Sequence, residues 1–466
     1  MSIDRRQFLT GLGVSLGAAS IGCGDNRIAT PDAGTRVGGA TACEASPRAA
    51  PELLAGIETL VVLCMENRSF DECLGSLRLV EGRADIDGLT GGETNPDRDG
   101  NPVAVHPLAD LVLADPPHNW DACHRQWNGG ANNGFVVAHA GAYQADVMGY
   151  RVRAQLPATY ALADAGAICQ RWFAACLGPT WPNRFYLHAA TAGGQQQNFP
   201  MPGLGPTIWD RLEGAGLRGV NYYHDIPWAF GGFGRTSGFA PIEQFFEDAA
   251  TGTLPPFALI DPGFFGAAAS DDHATHNSRL GQALIASVVA ALGASPQWDR
   301  CLFVLTYDEH GGFFDHVAPP ALPPDVELDA AFRTLGFRVP TVVVGPHVRR
   351  GCAIDTVLEH SSLIATVSRR FGLAPLNPRA AAAADLSPCI DPRRLDAPLP
   401  APVLPVVEVS ERRLAAGTAT ASTHPELAAA LAARPAGGID RRGEADEITR
   451  RVLGWGKRLG AVRLTR

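Results

Sequence analysis

The sequence predicts an α/β protein, a three-layer α/β/α sandwich around a mostly parallel sheet. Three observations predict it. Short β-branched apolar runs alternate with helical patterns along most of the chain, as strand–helix–strand units do. Two of those runs, IETLVVLCM (57–65) and CLFVL (301–305), are apolar without alternation, the pattern of strands buried on both faces. Each then breaks abruptly into charge, and in open α/β sheets ligands bind beyond the carboxyl ends of the strands.

The 466-residue chain is 46% hydrophobic, ample for a large core, and its 51 glycines and 36 prolines fit a loop-rich enzyme better than a helical bundle. A net charge of −9 without any basic block argues against a nucleic-acid partner. Beyond the N-terminus no apolar stretch is long enough to cross a bilayer. The ten cysteines form no CxxC, which argues against a thiolate zinc site. In an exported chain Cys64 with Cys73, and Cys169 with Cys176, are near enough in sequence to pair.

Residues 1–23 (MSIDRRQFLTGLGVSLGAASIGC) set Arg5 and Arg6 before a short glycine-rich apolar run and resemble a twin-arginine export signal. Ser20-Ile21-Gly22-Cys23 resembles a lipoprotein cleavage box. The expectation is a periplasmic, secreted or lipid-anchored protein, with the twin-arginine machinery as a partner and peripheral membrane contact where Cys23 carries lipid. Residues 24–55 have no periodicity and read as a tether. The body of the chain follows, 56–395.

Its first strand, Ile57–Met65, ends in Glu66-Asn67-Arg68-Ser69; Asn67 or Ser69 can cap a helix there. Residues 78–140 show little periodicity, and DPPHNWDACHRQWNGG (115–130) is a polar loop in which His118 and His124 stand out. PATYALADAGAICQRWF begins as a helix and continues as a strand. Thr180 then stands between prolines at the start of the helical run FYLHAAT, where helix N–H groups favour an anion. Ile208–Gly214 reads as a helix, Leu217–Tyr223 and Phe257–Ile260 as strands. In Asp271-Asp272-His273-Ala274-Thr275-His276, a helical turn would put Asp272 and His276 on one face. Leu280–Leu292 is a helix feeding the central strand from Cys301. That strand ends in Asp308 and Glu309, with His310 and His316 close by and the flexible pair Gly311-Gly312 between them. Oxygen donors and imidazoles in that arrangement are usual ligands of a divalent cation. Pro340–Gly345 is a further strand, and Glu359-His360-Ser361-Ser362 opens a helix ending near Phe371. From 396 to 466 the texture changes to a proline-rich, then alanine-rich extension, read as packing on the body without chemistry of its own.

Three segments together resemble one family: MENRSFDECLG (65–75), GPTWPNRFYL (178–187) and TYDEHGGFFDHVAPP (306–320). DPPHNW (115–120), DDHATHNSRLGQAL (271–284) and VLEHSSLIATVSRRFGL (357–373) support them, in the same order, over roughly 57–375. The family is the bacterial phosphoesterases that include phosphatidylcholine-type phospholipases C and respiratory-burst-inhibiting acid phosphatases, within the alkaline-phosphatase-like superfamily. The resemblance implies a hydroxyl nucleophile, Thr180, and a divalent metal on Glu66, Asn67, Thr180, Asp308 and Glu309. It further implies active-site roles for His118, Asp272, His273 and His360, and relates His276 to a second-metal position of more distant members. The metal can be Ca, Mg, Mn, Zn or Fe on these ligands. The implied substrate is a phospholipid head-group phosphodiester, or a phosphomonoester on the same scaffold; a catalytically degenerate surface-binding protein is the non-enzymatic alternative. A cation touching Thr180 Oγ1 would supply the alkoxide, and His118 or His273 would protonate the leaving group. TWPNR lacks the CxPxR pattern of formylglycine sulfatases, which argues against that chemistry.

Overall fold

The computed structural model describes residues 46, 48–139, 141, 143–416, 423–434 and 437–466. The export signal with its Cys23 box, and the tether as far as residue 45, lie outside the described residues. The tether's last residues, Ala50–Leu54, are helical, with Leu53 and Leu54 buried.

Eight strands make the central sheet: β1 (Thr59–Met65), β2 (Ala167–Ile168), β3 (Gly219–Tyr223), β4 (Phe239–Pro241), β5 (Phe257–Asp261), β6 (Cys301–Tyr307), β7 (Val342–Val344) and β8 (Cys352–Ala353). Their spatial order is β8-β2-β7-β6-β1-β5-β3-β4. β1 pairs in parallel with β6 and β5, β5 with β3, and β3 with β4. β7 runs antiparallel to both β6 and β2, while β8 is parallel to β2. The sheet is thus mostly parallel, as expected, with β7 the reversed strand. Nothing in PTVVVG distinguishes the two directions, because a buried valine run suits either.

Every residue of β1, β5 and β6 is buried, so both faces of the sheet are covered. The covering helices include α1 (Phe70–Leu74), α2 (Trp120–Trp127), α3 (Pro157–Ala165), α4 (Thr180–Ala189), α5 (Ile208–Gly214), α6 (Ile242–Thr251), α7 (Ser278–Gly293) and α8 (Ser361–Phe371). α7 packs against α3 and α6; α4 packs against α5 and α8. The helix-then-strand reading of 157–174 is met by α3 and β2, joined at Gly166. A Cβ on Gly166 would stand 2.3 Å from the Val343 carbonyl oxygen, so only glycine lets the helix turn into the sheet there.

The C-terminal stretch adds a parallel pair, β9 (Val407–Ser410) and β10 (Val462–Thr465), with α9 (Pro425–Ala433) and α10 (Ala445–Arg458) between them. Val407, Val409, Ile448, Val452, Leu453 and Val462 join the same hydrophobic core as the sheet, and α10 lies on α7. Among the described residues no helix is long and apolar enough to cross a membrane.

The expected cysteine pairs need correcting. Cys64, Cys73, Cys169 and Cys176 are all free and buried. Cys64 is fixed in β1, while Cys73 sits on α1 and donates to the Glu72 carboxylate at 2.9 Å, so nearness in sequence does not bring the sulfurs together. Cys352, on β8, is disulfide-bonded.

Candidate active site

The parallel register sets Met65 opposite Tyr307, so β1 and β6 release their next residues side by side. Asp308 N–H donates to Met65 O at 3.1 Å and Arg68 N–H to Glu309 O at 2.9 Å, carrying the ladder past the strand ends. Asn67 and Glu309 both donate a backbone N–H to Asp308 Oδ1, at 2.9 and 2.8 Å. Asn67 takes φ +60°, a left-handed conformation that Asn tolerates. Across from it Gly311 has φ +64°, and a Cβ there would stand 2.2 Å from Asn67 O. The turn after β6 therefore requires that glycine. Asp308 and Glu309 are 1% and 0% exposed, which rules out a solvated turn.

Thr180 begins α4, with Pro179 in the cap position and no side chain capping the helix. Its hydroxyl is thereby left to face the strand ends: Oγ1 is 3.5 Å from Glu66 Oε2 and 3.4 Å from Asn67 Oδ1. Ser69, not Asn67, caps the neighbouring helix α1, accepting from Glu72 N–H at 3.1 Å. One turn after Thr180, the buried Arg184 reaches Glu66 Oε1 at 2.6 Å, Asp261 Oδ1 at 3.5 Å and Asp308 Oδ2 at 3.6 Å. Three carboxylates thus share the Arg184 guanidinium, and Glu309 lies beside them. Burial pushes the Glu66 carboxyl well above its ordinary value despite Arg184, and Asp308 adds to the rise. Asp308 is raised in the same way, with Glu309 as the added charge.

Glu66, Asn67, Thr180 and Asp308 are brought together from three elements, and Glu309 adjoins them next to Asp308 and through His118. Asp308 Oδ2 and Glu309 Oε1 are buried with no hydrogen-bond partner. Excess buried negative charge and orphaned carboxylate oxygens, among oxygen donors throughout, fit a hard divalent cation.

The predicted histidines divide. His118 belongs to the cluster: Nδ1 lies 2.7 Å from Pro116 O, and Nε2 is 3.4 Å from Asn67 Nδ2 and 3.9 Å from Glu309 Oε1. Burial opposes its charge, but Glu309 and Asp115 outweigh burial and raise it to about 9. His273 meets His118 edge-on, ring centroids 5.9 Å apart, and lies 4.0 Å from Asp115. Burial, then His424, push its pKa well down, so it is neutral. His360 has both nitrogens engaged within the protein. Nε2 lies 2.6 Å from Asp308 O, and Nδ1 faces the Trp172 indole N–H at 3.5 Å, so it holds the Asp308 backbone.

Asp272 is placed differently from its helical reading. Residues 271–276 form bends and a turn, and α7 begins only at Ser278. At φ +71° Asp272 turns its carboxylate to the Tyr307 hydroxyl at 2.7 Å, while Arg68 holds its carbonyl at 2.9 Å. The partner of His276 is Asp271, at 2.5 Å. His310 sits behind Glu309, 3.1 Å from Oε2 and 2.9 Å from Gln126. His316 is elsewhere, 2.7 Å from Asp71, where Arg338 neutralises Asp71 and Asp315 at 3.1 and 2.8 Å. His124 is structural, bonded to Trp120 O at 2.8 Å.

The sequence reading missed Arg184, Asp115, Asp261, Asp271 and His424. Arg184 was findable, being four residues from Thr180 on one helical face. His424 carried no local signal. It brings the C-terminal extension, read as packing on the body without chemistry of its own, up to Asp271, with Nε2 2.9 Å from Asp271 Oδ2.

The Phosphoesterase family model matches residues 57–374 of this chain. The chain belongs to the phosphoesterase family. It is a hydrolase acting on phosphoric ester bonds. Non-specific phospholipase C1 of Arabidopsis thaliana is 34% identical over 366 residues, 68% of this chain and 67% of its own. Phospholipase C B of Mycobacterium tuberculosis is 29% identical over 397 residues, 69% of this chain and 75% of its own. Among solved structures, a phosphonate monoester hydrolase of Agrobacterium radiobacter is 12% identical with a TM-score of 0.36, covering 72% of this chain and 77% of that one. The cluster at the ends of β1 and β6 falls inside the matched span of this phosphoesterase; His424 falls outside it.

Proposed function

We propose that this phosphoesterase is an exported, metal-dependent phospholipase C-like enzyme that cleaves phospholipid head-group phosphodiesters through a phospho-threonine at Thr180. One observation carries the reading: the Thr180 hydroxyl lies within 3.5 Å of Glu66 and Asn67, in a cluster with two orphaned carboxylate oxygens. A divalent cation held by Glu66, Asn67, Thr180, Asp308 and Glu309 would lower the Thr180 hydroxyl pKa and offset charge on a phosphoryl oxygen.

The chain's own residues supply the rest. Arg184 orients Glu66 and Asp308 and opposes the upward push of burial on their pKa values. Thr180 passes its hydroxyl proton to Glu66 Oε2, 3.5 Å away, as Oγ1 bonds to phosphorus, and the ester oxygen of the diacylglycerol departs with the proton of His118, held protonated. Water then attacks the phospho-threonine, its proton going to the neutral His273; Thr180 leaves and takes back the proton from Glu66, and His273 and His118 return to their starting states by exchange with solvent. Acid–base assistance of this kind contributes ~10²–10⁴-fold. A cavity of about 340 Å³ beside Pro179, lined by Trp120, Asp121, Phe199 and Glu426, leaves room for a head group beyond the phosphoryl. Its carboxylates and aromatic faces suit a cationic one. The relatives' names, phospholipase C, support the same class. Residues 1–23 support export.

Purified enzyme supplied with Ca, Mg, Mn, Zn or Fe should turn over p-nitrophenyl phosphorylcholine faster than p-nitrophenyl phosphate. The reverse preference would make it a phosphomonoesterase; activity on neither would overturn the reading. Thr180→Ala should abolish turnover while elemental analysis shows metal retained. Replacing Arg5 and Arg6 with Lys should keep the precursor in the cytoplasmic fraction.

A further inference from the structure

Asp271 is buried beside the histidines and gripped from two directions. His276 Nδ1 lies 2.5 Å from Oδ1, and His424 Nε2 lies 2.9 Å from Oδ2. The first imidazole comes from the turn just after Asp271; the second comes from 153 residues further along the chain. Thr423, beside His424, has its hydroxyl 3.3 Å from His276 Nε2, so the C-terminal segment touches both sides of the grip. Burial would raise the Asp271 carboxyl, but the two imidazoles hold it far below the usual carboxylate range.

Asp271 also anchors the loop that carries His273. Oδ1 accepts the His273 backbone N–H at 3.0 Å, and Asp271 O accepts Glu66 N–H at 2.8 Å. The His273 ring, by contrast, has a buried Nδ1 with no hydrogen-bond partner. Its rotation is therefore set by packing: His424 meets it edge-on at 5.4 Å and His118 on another side at 5.9 Å. His424 is itself wedged against Phe264 and Phe265, ring centroids 5.1 and 6.1 Å away.

We propose that His424 is a positioning residue for hydrolysis at Thr180, fixing the His273 ring by contact and its backbone through Asp271. The C-terminal segment thus completes a site whose reacting groups all lie in the body. This rests on the roles given to Thr180 and His273 above. A misplacement of about 1 Å in a proton-transferring group can lower the rate ~10²-fold.

The test uses the full-length, metal-loaded chain and whichever p-nitrophenyl phosphoester the wild type turns over. His424→Ala should lower kcat about 10–100-fold with KM within about twofold, the signature of an interaction needed beyond substrate binding. His424→Gln keeps an N–H donor for Asp271 and should recover most of the loss. Leu427→Ala serves as the docking control: Leu427 packs in the α9 core near Gly231 and makes no hydrogen bond at Asp271. It should lower Tm yet leave kcat within about threefold. Wild-type kcat in His424→Ala overturns the proposal. So does His424→Gln failing as badly as His424→Ala, or Leu427→Ala losing as much kcat. Should His424→Ala not fold, His424→Phe keeps the ring and removes the donor, and wild-type kcat there overturns the proposal equally. Thr180→Ala alongside separates the two levels. An active Thr180→Ala with a damaged His424→Ala defeats the nucleophile assignment. A dead Thr180→Ala with an undamaged His424→Ala defeats only the present inference.

Discussion

The carboxylates at the ends of β1 and β6 and the histidines around Asp271 border one another, yet each handles buried charge differently. Glu66, Asp261 and Asp308 share Arg184, Glu309 lies beside them, and burial drives the Glu66 and Asp308 pKa values up. That half is over-negative and open to a cation. Asp271 faces His276 and His424, and its pKa is driven down. That half compensates itself and is closed. The difference separates a group built to take a ligand from a group built to hold a shape, and it gives each a distinct response to substitution.

The largest expected effect lies in the open half. Asp308→Asn should lower kcat/KM by ~10³-fold or more, since in the proposed mechanism it removes a ligand of the cation that offsets charge on the phosphoryl group. Elemental analysis should show metal lost with it. Metal-free Asp308→Asn should nevertheless be at least as stable as metal-free wild type in urea melts, because one of the repelling buried carboxylates is gone. A marked loss of metal-free stability would mean that the half is already balanced. Arg184→Met should act in the opposite sense. Stranding Glu66 and Asp308 without their counter-charge should destabilise the metal-free protein by about 3–5 kcal/mol, and added divalent cation should restore part of it.

The two halves were also unequally legible. The open half is written in contiguous pairs, Glu66-Asn67 and Asp308-Glu309, each released by an apolar run, and in-register parallel pairing turns those local patterns into one place. The closed half depends on non-local geometry. Whether Asp271 or Asp272 meets the histidines is decided by the left-handed backbone of Asp272, where spacing suggested a helical turn. His424 enters from beyond the matched family span, within an alanine-rich stretch that reads as packing alone. The reversed direction of β7 was equally silent, since Val342–Val344 is buried whichever way it runs.

A middle-sized effect sharpens the contrast through pH. Asp271 has a depressed folded pKa, so its contribution to stability is present above the ordinary carboxylate value and fades as pH falls through the folded one. His276 is raised despite burial because Asp271 faces it, so its contribution is complete below the ordinary imidazole value and fades as pH rises through the folded one. The grip is therefore fully formed between about pH 4 and pH 6.5. Across that window Asp271→Asn should be less stable than wild type by about 1.5–3 kcal/mol, the range for hydrogen bonds to charged groups. A difference independent of pH on both sides would show that Asp271 acts by shape alone.

The smallest effect tests the border between the halves, at His118. A general acid works while protonated, so turnover should fall as pH rises through the His118 pKa. Burial alone would depress that pKa; Glu309, then Asp115, raise it to about 9. A cation on Glu309 would weaken the first of those pulls and leave Asp115 a larger share. Asp115 is 42% exposed, so its pull is screened by salt, whereas that of the buried Glu309 is not. Asp115→Asn should therefore move the basic limb of the kcat profile to lower pH. High salt should move the wild-type limb in the same direction and leave that of Asp115→Asn nearly in place. A limb that ignores both changes belongs to another group and removes His118 as the acid.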